Sequence, residues 1–183
     1  MNSFQYVCVV CWYIMIDVKT KGYKMTVLRF IFAMLLSFLP GIIGVMVAPM
    51  ASGQNLWYAT LANSSLTPSG WVFSVVWGIL YFLIGLALFF VMQKHITGSP
   101  QKKYMAYILF GVNIVLNTLW SFAFFGAQSP ELALIVLGAL IIVALFMMRA
   151  FYRISVGAFW CVVPYVLWLM FAFYLNSMII YLN

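Results

Sequence analysis

Five long apolar stretches limit how this chain can fold. Each has about 20 residues, the length at which a helix crosses the roughly 30 Å hydrocarbon layer of a bilayer. No Asp, Glu, Lys or His interrupts their interiors, and Arg29 lies near one end. The stretches are residues 27–47, 71–92, 104–125, 132–148 and 159–180. They predict an all-α integral membrane bundle of five transmembrane helices in contact with a lipid bilayer.

The composition excludes other classes of protein. Apolar residues make up 67% of the chain and charged residues 6%, with a mean hydropathy of +1.13. Soluble domains have about 45–50% apolar and about 25% charged residues. We therefore exclude a soluble globular domain, a disordered chain and a nucleic-acid-binding protein, although the net charge is +7.

The basic residues predict the orientation of the bundle. All nine lie in the N-terminal arm and the first turns of the first helix, or in the second and fourth connections. They are Lys19, Lys21, Lys24, Arg29, Lys94, Lys102, Lys103, Arg149 and Arg153. Loops on the cytoplasmic side are enriched in Lys and Arg. In a bacterial inner membrane the N-terminus and these loops would face the cytoplasm; an organelle membrane is the alternative.

Residues 1–24 form an N-terminal extension before the five-helix domain, residues 25–183. The extension contains an apolar run, residues 6–16, that is too short to cross a bilayer and lacks the basic start of a signal peptide. Our expectation is that the native chain starts at Met25, immediately before the first apolar stretch.

A pair of cysteines, Cys8 and Cys11, has a spacing found in zinc and thiol-exchange sites. Zinc takes about four ligands, and the only histidine of the chain, His95, lies in another loop. We therefore interpret the pair as apolar filler and predict no metal site.

Three hydroxyl–proline pairs predict helix starts. Thr67-Pro68, Ser99-Pro100 and Ser129-Pro130 each place an N-cap residue before a proline in the first helical position. Glu131 would follow in the first turn of the fourth helix, where the helix dipole favours an anion. We interpret Glu131 as a capping residue rather than a catalytic acid.

The apolar stretches also exclude most catalytic chemistry. Acid–base catalysis and metal catalysis need ionisable groups inside a pocket, and ion-coupled transport usually needs them inside the membrane. The interiors of the five stretches contain none. We predict no catalytic acid or base and no cofactor.

Neutral polar and aromatic side chains remain. Asn113, Asn117 and Ser121 recur at intervals of four and share one face of the third helix. Two interpretations of this face are open: hydrogen bonds between helices, or contacts with a ligand. Trp77 and Trp168 lie deeper in their helices than an interfacial aromatic belt requires.

Two prolines, Pro40 and Pro164, interrupt the first and fifth helices. Each removes a hydrogen bond to the carbonyl four residues earlier, and such kinks widen one end of a bundle. Two interpretations are open: prolines tolerated by helix packing, or kinks beside an uncharged, aromatic-walled cavity that suits a flat hydrophobic ligand. In the second, the loop around Trp57 would be the lid.

Several spaced motifs resemble the translocator protein family, also called TspO/MBR, tryptophan-rich sensory proteins or peripheral benzodiazepine receptors. They are Trp57-Tyr58-x-x-Leu61, Thr67-Pro68-x-x-Trp71-x-Phe73-x-x-x-Trp77-x-x-Leu80-Tyr81, Leu116-Asn117-x-x-Trp120-Ser121-x-x-Phe124-Phe125, and Pro164-Tyr165-x-x-Trp168-x-x-Phe171-Ala172-x-x-Leu175-Asn176. The motifs occur in this order along the chain, and the resemblance covers residues 30–183.

The resemblance implies a small, often dimeric membrane protein that binds porphyrins such as protoporphyrin IX and benzodiazepine-type ligands. It places the ligand between the helices, beneath the first loop. The residues implied for this pocket are Trp57, Pro68, Phe73, Trp77, Tyr81, Asn113, Asn117, Trp168 and Ala172. A homodimer is expected from the resemblance alone.

Two departures from the family pattern narrow its implied activities. Leu66 stands where many members have a loop tryptophan linked to porphyrin breakdown, so a degrading enzyme would have to rely on Trp77. The chain ends Tyr181-Leu182-Asn183 without the basic residue of the family's cholesterol motif, so we do not predict sterol binding as a main activity.

The leading prediction is a membrane receptor or sensor for tetrapyrroles. The alternatives are an enzyme that degrades porphyrin by photo-oxidation, a tetrapyrrole transporter, and a purely structural partner protein. No charged pathway or inverted repeat in the sequence favours a transporter.

Overall fold

The computed structural model describes residues 23–52, 56–94 and 100–183. The Cys8–Cys11 pair, His95, Ser99 and most of the N-terminal extension lie outside these residues, so the expectations for them stay predictions. The described residues form helices and no strand. The all-α class is confirmed.

Within the described residues, five helices are long and apolar enough to cross a membrane, as predicted. They are α1 (Tyr23–Ser52), α3 (Gly70–Gln93), α4 (Pro100–Ser121), α5 (Pro130–Tyr152) and α6 (Val156–Leu182). A short helix, α2 (Leu56–Thr60), lies in the connection between α1 and α3. A π-helical turn, Phe122–Gly126, extends α4. Neither of these two shorter elements was predicted from the sequence.

The five long helices pack as a closed ring. Helix α1 contacts α3 and α4, α4 contacts α5, α5 contacts α6, and α6 returns to α3. Short connections make α4, α5 and α6 antiparallel neighbours along the chain. In this ring α1 lies between α3 and α4, although these two helices are consecutive spans along the chain. The ring brings α3, α4 and α6 around one interior.

Fully buried alanines lie among large core side chains such as Tyr165 and Phe151, while many other large apolar residues face outward. Six alanines are fully buried: Ala33, Ala87, Ala106, Ala144, Ala133 and Ala158. By contrast, Leu35, Val45 and Ile135 are 65%, 73% and 71% exposed. In a bilayer, apolar surface gains nothing by leaving lipid, so small residues that let helices approach closely dominate the contacts. This distribution supports a membrane environment.

The basic residues of the described chain gather at one end of the bundle. Arg29, near the start of α1, donates from Nη1 to Gln93 Oε1 at 3.2 Å. Lys103, near the start of α4, donates from Nζ to the Lys94 carbonyl at 2.9 Å. Helix α5 runs antiparallel to α4 and ends with Arg149 at the same end. The compartment that this end faces stays a prediction.

Helix starts agree with prediction in two places and disagree in one. Helix α5 begins at Pro130, and Ser129 Oγ accepts a hydrogen bond from the Leu132 N–H at 3.2 Å. Helix α4 begins at Pro100. The predicted start at Thr67-Pro68 is wrong, because α3 begins at Gly70. The Thr67 N–H donates to the Ser64 carbonyl at 2.9 Å, so this segment forms a turn before the helix.

Substituting Ser129 by alanine is expected to destabilise the protein by about 1 kcal/mol, since the Leu132 N–H loses its acceptor. Ser69 offers a matched control: it is the N-cap residue of α3, yet its side chain makes no capping hydrogen bond. Ser69→Ala should change the free energy of unfolding by less than about 0.5 kcal/mol. Denaturant unfolding in mixed micelles measures both, and equal losses would contradict the cap assignment.

Candidate functional site

The polar face of α4 points into the bundle, as its spacing predicts. Asn113 is fully buried, and Asn117 and Ser121 are almost so. Carboxamides in a hydrocarbon environment are costly unless they are hydrogen-bonded. These side chains should therefore find partners on neighbouring helices.

A chain of hydrogen bonds joins α3, α4 and α6 through this face. The Tyr81 hydroxyl donates to Asn117 Oδ1 at 3.0 Å. Asn117 Nδ2 donates to the Tyr165 hydroxyl oxygen at 3.0 Å. The Tyr165 hydroxyl in turn donates to Asn113 Oδ1 at 3.1 Å. Each amide thus bonds across to another helix, which supports the interpretation of this face as interhelical bonding.

Tyr165 is the residue that sequence reasoning left out of the site. It is fully buried and connects the two asparagines. The signal that the sequence offered for Tyr165 was its position directly after Pro164, in the family motif that lies on α6. Nothing in a single sequence, however, distinguishes a tyrosine that faces the bundle interior from one at the lipid surface.

Aromatic rings pack around the hydrogen-bonded chain. Trp77 stacks on Tyr81 with ring centroids 5.4 Å apart and meets Tyr165 edge-on at 6.4 Å. Phe73 meets Trp168 edge-on at 5.5 Å. We call the residues Phe73, Trp77, Tyr81, Asn113, Asn117, Tyr165, Trp168 and Ala172 the aromatic–amide cluster. All of them except Tyr165 belong to the predicted site.

Two donors of this cluster lack an acceptor among the described residues. They are Asn113 Nδ2 and Trp168 Nε1, and both atoms are buried. A buried donor without a partner costs about 1–3 kcal/mol. An acceptor from outside the described residues, such as an ordered water or a ligand, would satisfy them.

Trp57 lies over a different part of the bundle from the aromatic–amide cluster. It belongs to α2 and meets Phe124 edge-on at 5.6 Å, while Tyr58 packs on Phe124 and Phe125. Burial against these rings raises the pKa of the Tyr58 hydroxyl above its usual value of 10.0, so the hydroxyl stays protonated. Trp120 stacks on Phe124 with ring centroids 5.2 Å apart and also packs against the main apolar core of the bundle.

The described part of the loop between α2 and α3 is also tied to the far end of α6. Asn183 Oδ1 accepts a hydrogen bond from the Ala62 N–H at 2.9 Å, and Asn183 Nδ2 donates to the Ala62 carbonyl at 3.1 Å. Pro68 is half-buried two residues before α3 begins. The loop is therefore attached to the end of the bundle at which α6 ends, and its role as a lid stays a prediction.

The free volume next to the site is a groove rather than an enclosed hollow. It lies between α3 and α6, holds about 510 Å³, and has almost entirely apolar walls. Its lining residues are Val76, Ile79, Leu80, Leu83, Pro164, Leu167, Trp168 and Phe171. Trp168 thus belongs both to the groove wall and to the aromatic–amide cluster. Inside that cluster, the Trp77–Tyr81 stack and the Phe73–Trp168 contact occupy the space themselves.

Comparison with known proteins agrees with this architecture. The sequence profile of the TspO/MBR family matches residues 30–182. The chain is 38% identical over 130 residues to the tryptophan-rich protein TspO of Chlorobaculum tepidum, an alignment that covers 69% of this chain and 79% of the relative. It is 34% identical over 140 residues to the tryptophan-rich sensory protein of Cereibacter sphaeroides, covering 74% and 85%. It is 34% identical over 125 residues to the translocator protein of Homo sapiens, covering 68% and 73%. The chain therefore belongs to the TspO/MBR family.

Proposed function

We propose that the chain is a membrane receptor or sensor that binds tetrapyrroles of the protoporphyrin IX type, and benzodiazepine-type hydrophobic ligands, in the aromatic–amide cluster. The observation that carries this proposal is the pair of buried, unpartnered donors, Asn113 Nδ2 and Trp168 Nε1, inside an uncharged aromatic cluster. A ligand with carbonyl or carboxylate oxygens would satisfy both donors. A proton or a metal ion would satisfy neither.

The aromatic rings supply the apolar part of the binding energy. A flat macrocycle presents two large apolar faces, which stack favourably on indole and phenyl rings. In the proposed complex, Trp77 and Trp168 contact these faces after the Phe73–Trp168 contact opens. Asn113 orients the ligand with its free N–H groups, whereas Asn117 acts indirectly by holding Tyr81 and Tyr165 in place.

The groove between α3 and α6 supports entry of the ligand from the bilayer. Its volume of about 510 Å³ falls in the range of about 300–1,000 Å³ that is typical of small-molecule pockets. Ile79 and Leu167 on its walls are 55% and 62% exposed, so the groove opens toward lipid. A hydrophobic ligand dissolved in the membrane would reach Trp168 without crossing water.

Titration of the purified chain with protoporphyrin IX tests the proposal. We expect saturable quenching of tryptophan fluorescence, and Trp77→Ala or Trp168→Ala should weaken the affinity about tenfold or more because each removes a large apolar contact. Trp160→Ala is the matched control: Trp160 also lies on α6 but is 57% exposed. Its removal should leave the affinity unchanged.

Equal affinity of the wild type and both cluster variants would overturn the assignment of the site. Two further measurements separate the alternative functions. A new product under illumination that disappears in Trp77→Phe would indicate photo-oxidative degradation rather than sensing. Net tetrapyrrole flux into proteoliposomes would indicate transport.

A further inference from the structure

A cluster of donors lies at the basic end of the bundle, far from the aromatic–amide cluster. Arg29 of α1 donates from Nη1 to Gln93 Oε1 at 3.2 Å. Lys103 of α4 donates from Nζ to the Met92 carbonyl at 3.0 Å and to the Lys94 carbonyl at 2.9 Å. Both cations thus donate hydrogen bonds to the C-terminal end of α3 and to Lys94, which directly follows it. We call Arg29, Gln93 and Lys103 the basic cluster.

The basic cluster has more donors than the described residues can use. A guanidinium carries five N–H donors and an ammonium three, while the described residues provide one acceptor to Arg29 and two to Lys103. Gln93 Nε2 is buried and has no partner among the described residues. These unused donors all belong to one site where three helices meet.

The two positive charges also lack a described counter-charge. Arg29 and Lys103 interact electrostatically, and each is only partly exposed. The acids of the chain are Asp17, which lies outside the described residues, and Glu131, which lies in the first turn of α5 at the opposite end of the bundle. Like charges held together at the edge of a low-dielectric region favour binding of an anion.

The depth of the basic cluster matches the headgroup region of a bilayer. Arg29 lies about 9 Å along α1 from the start of that helix at Tyr23, and Lys103 about 5 Å from the start of α4 at Pro100. Their neighbours Leu28, Tyr104 and Met105 are 60%, 68% and 52% exposed. An anion at this depth would have apolar protein surface beside it, where acyl chains could lie.

We propose that the basic cluster binds the phosphate of an anionic phospholipid from the leaflet at the basic end of the bundle. Phosphate oxygens would accept from the free guanidinium N–H groups of Arg29, the remaining proton of the Lys103 ammonium, and Gln93 Nε2. The acyl chains would lie along the exposed apolar faces of α1 and α4. Basic sites between transmembrane helices are suited to such headgroups, and charge-assisted hydrogen bonds to phosphate are short and strong.

Native mass spectrometry of the full chain, released from nanodiscs of defined composition, tests this site. We expect one molecule of phosphatidylglycerol to be retained in preference to phosphatidylcholine. Arg29→Gln should weaken this retention about tenfold without removing a helix cap. Lys103→Gln should weaken it similarly, and Lys103→Arg should restore it. Lys102→Gln is the matched control, because Lys102 is adjacent and exposed and has the same charge.

Four outcomes would overturn the proposal. Equal losses in Lys102→Gln and Arg29→Gln would indicate a diffuse attraction to anionic lipid rather than a site. Equal retention of phosphatidylcholine would exclude recognition of the headgroup charge. Displacement of the lipid by millimolar inorganic phosphate would assign the site to a soluble anion. A large gain of lipid binding in Asp17→Asn would show that this carboxylate occupies the basic cluster in the native chain. None of these outcomes bears on tetrapyrrole binding.

Discussion

Replacing Asn117 by leucine is expected to lower the free energy of unfolding by about 3 kcal/mol. The substitution removes the acceptor of the Tyr81 hydroxyl and the donor to the Tyr165 hydroxyl, and both hydroxyls would stay buried. Each abandoned polar group costs about 1–3 kcal/mol. Hydrogen bonds between transmembrane helices average about 0.6 kcal/mol when measured by double-mutant cycles. Most of the loss therefore comes from the Tyr81 hydroxyl, which keeps no partner, whereas the Tyr165 hydroxyl still donates to Asn113 Oδ1.

Steric trapping or denaturant unfolding in mixed micelles measures this loss. Thr118→Val is the control: its hydroxyl donates only to the Ile114 carbonyl of the same helix, at 2.9 Å. It should cost less than about 0.5 kcal/mol. In addition, Asn117→Leu combined with Tyr81→Phe should cost less than the sum of the two single substitutions, because the bond between them is lost only once. Strict additivity would contradict the bond.

The architecture was largely predictable because membrane geometry restricts it. The length of each apolar stretch equals the thickness of the hydrocarbon layer, so five stretches indicate five helices. The interior face of α4 was equally predictable, since Asn113 and Asn117 cannot face lipid without a partner. In each case almost every alternative arrangement is energetically unfavourable. The N-cap at Ser129 was also predictable, because a hydroxyl residue directly before a proline is a typical helix start.

The identity of the partners was not predictable in the same way. Tyr81 and Asn117 are 36 residues apart, and Tyr165 and Asn113 are 52 apart. Their pairing depends on the order of helices around the ring, which apolar length does not encode. The turn at Thr67 and the π-helical turn at Phe122–Gly126 were missed for a similar reason. Both turns depend on contacts between helix ends and neighbouring segments rather than on the local sequence propensity.

The resemblance to the family supplied what local patterns could not, and the structure refines it. The family motifs imply that Phe73, Trp77 and Trp168 share one pocket; in the structure Phe73 meets Trp168, whereas Trp77 stacks on Tyr81. Trp57, by contrast, packs on Phe124. Trp57 is therefore not a ring neighbour of Trp77, and a role of its loop as a lid stays a prediction. Family motifs report which residues matter, whereas the contacts report how they are connected.

Gly41→Ala is expected to destabilise the protein by about 2 kcal/mol, although alanine is normally the better helix former by about 1 kcal/mol. A Cβ atom at Gly41 would lie 2.6 Å from Cε2 of the Tyr81 ring and 3.1 Å from its Cδ2. That ring cannot move aside freely, since it stacks on Trp77 and its hydroxyl is bonded to Asn117. The clash would therefore separate α1 from α3 or break the hydrogen-bonded chain.

Gly78→Ala and Gly44→Ala make this expectation specific. A Cβ at Gly78 meets no heavy atom within 4 Å, so alanine there should be neutral or stabilising. At Gly44 the nearest atom is Ser121 Oγ at 3.1 Å, at the end of a side chain that rotates, so the cost should be intermediate. Thermal unfolding in one detergent would rank the three variants. If Gly41→Ala were as stable as Gly78→Ala, the Tyr81 ring would be free to shift, and the aromatic–amide cluster would be looser than its contacts indicate.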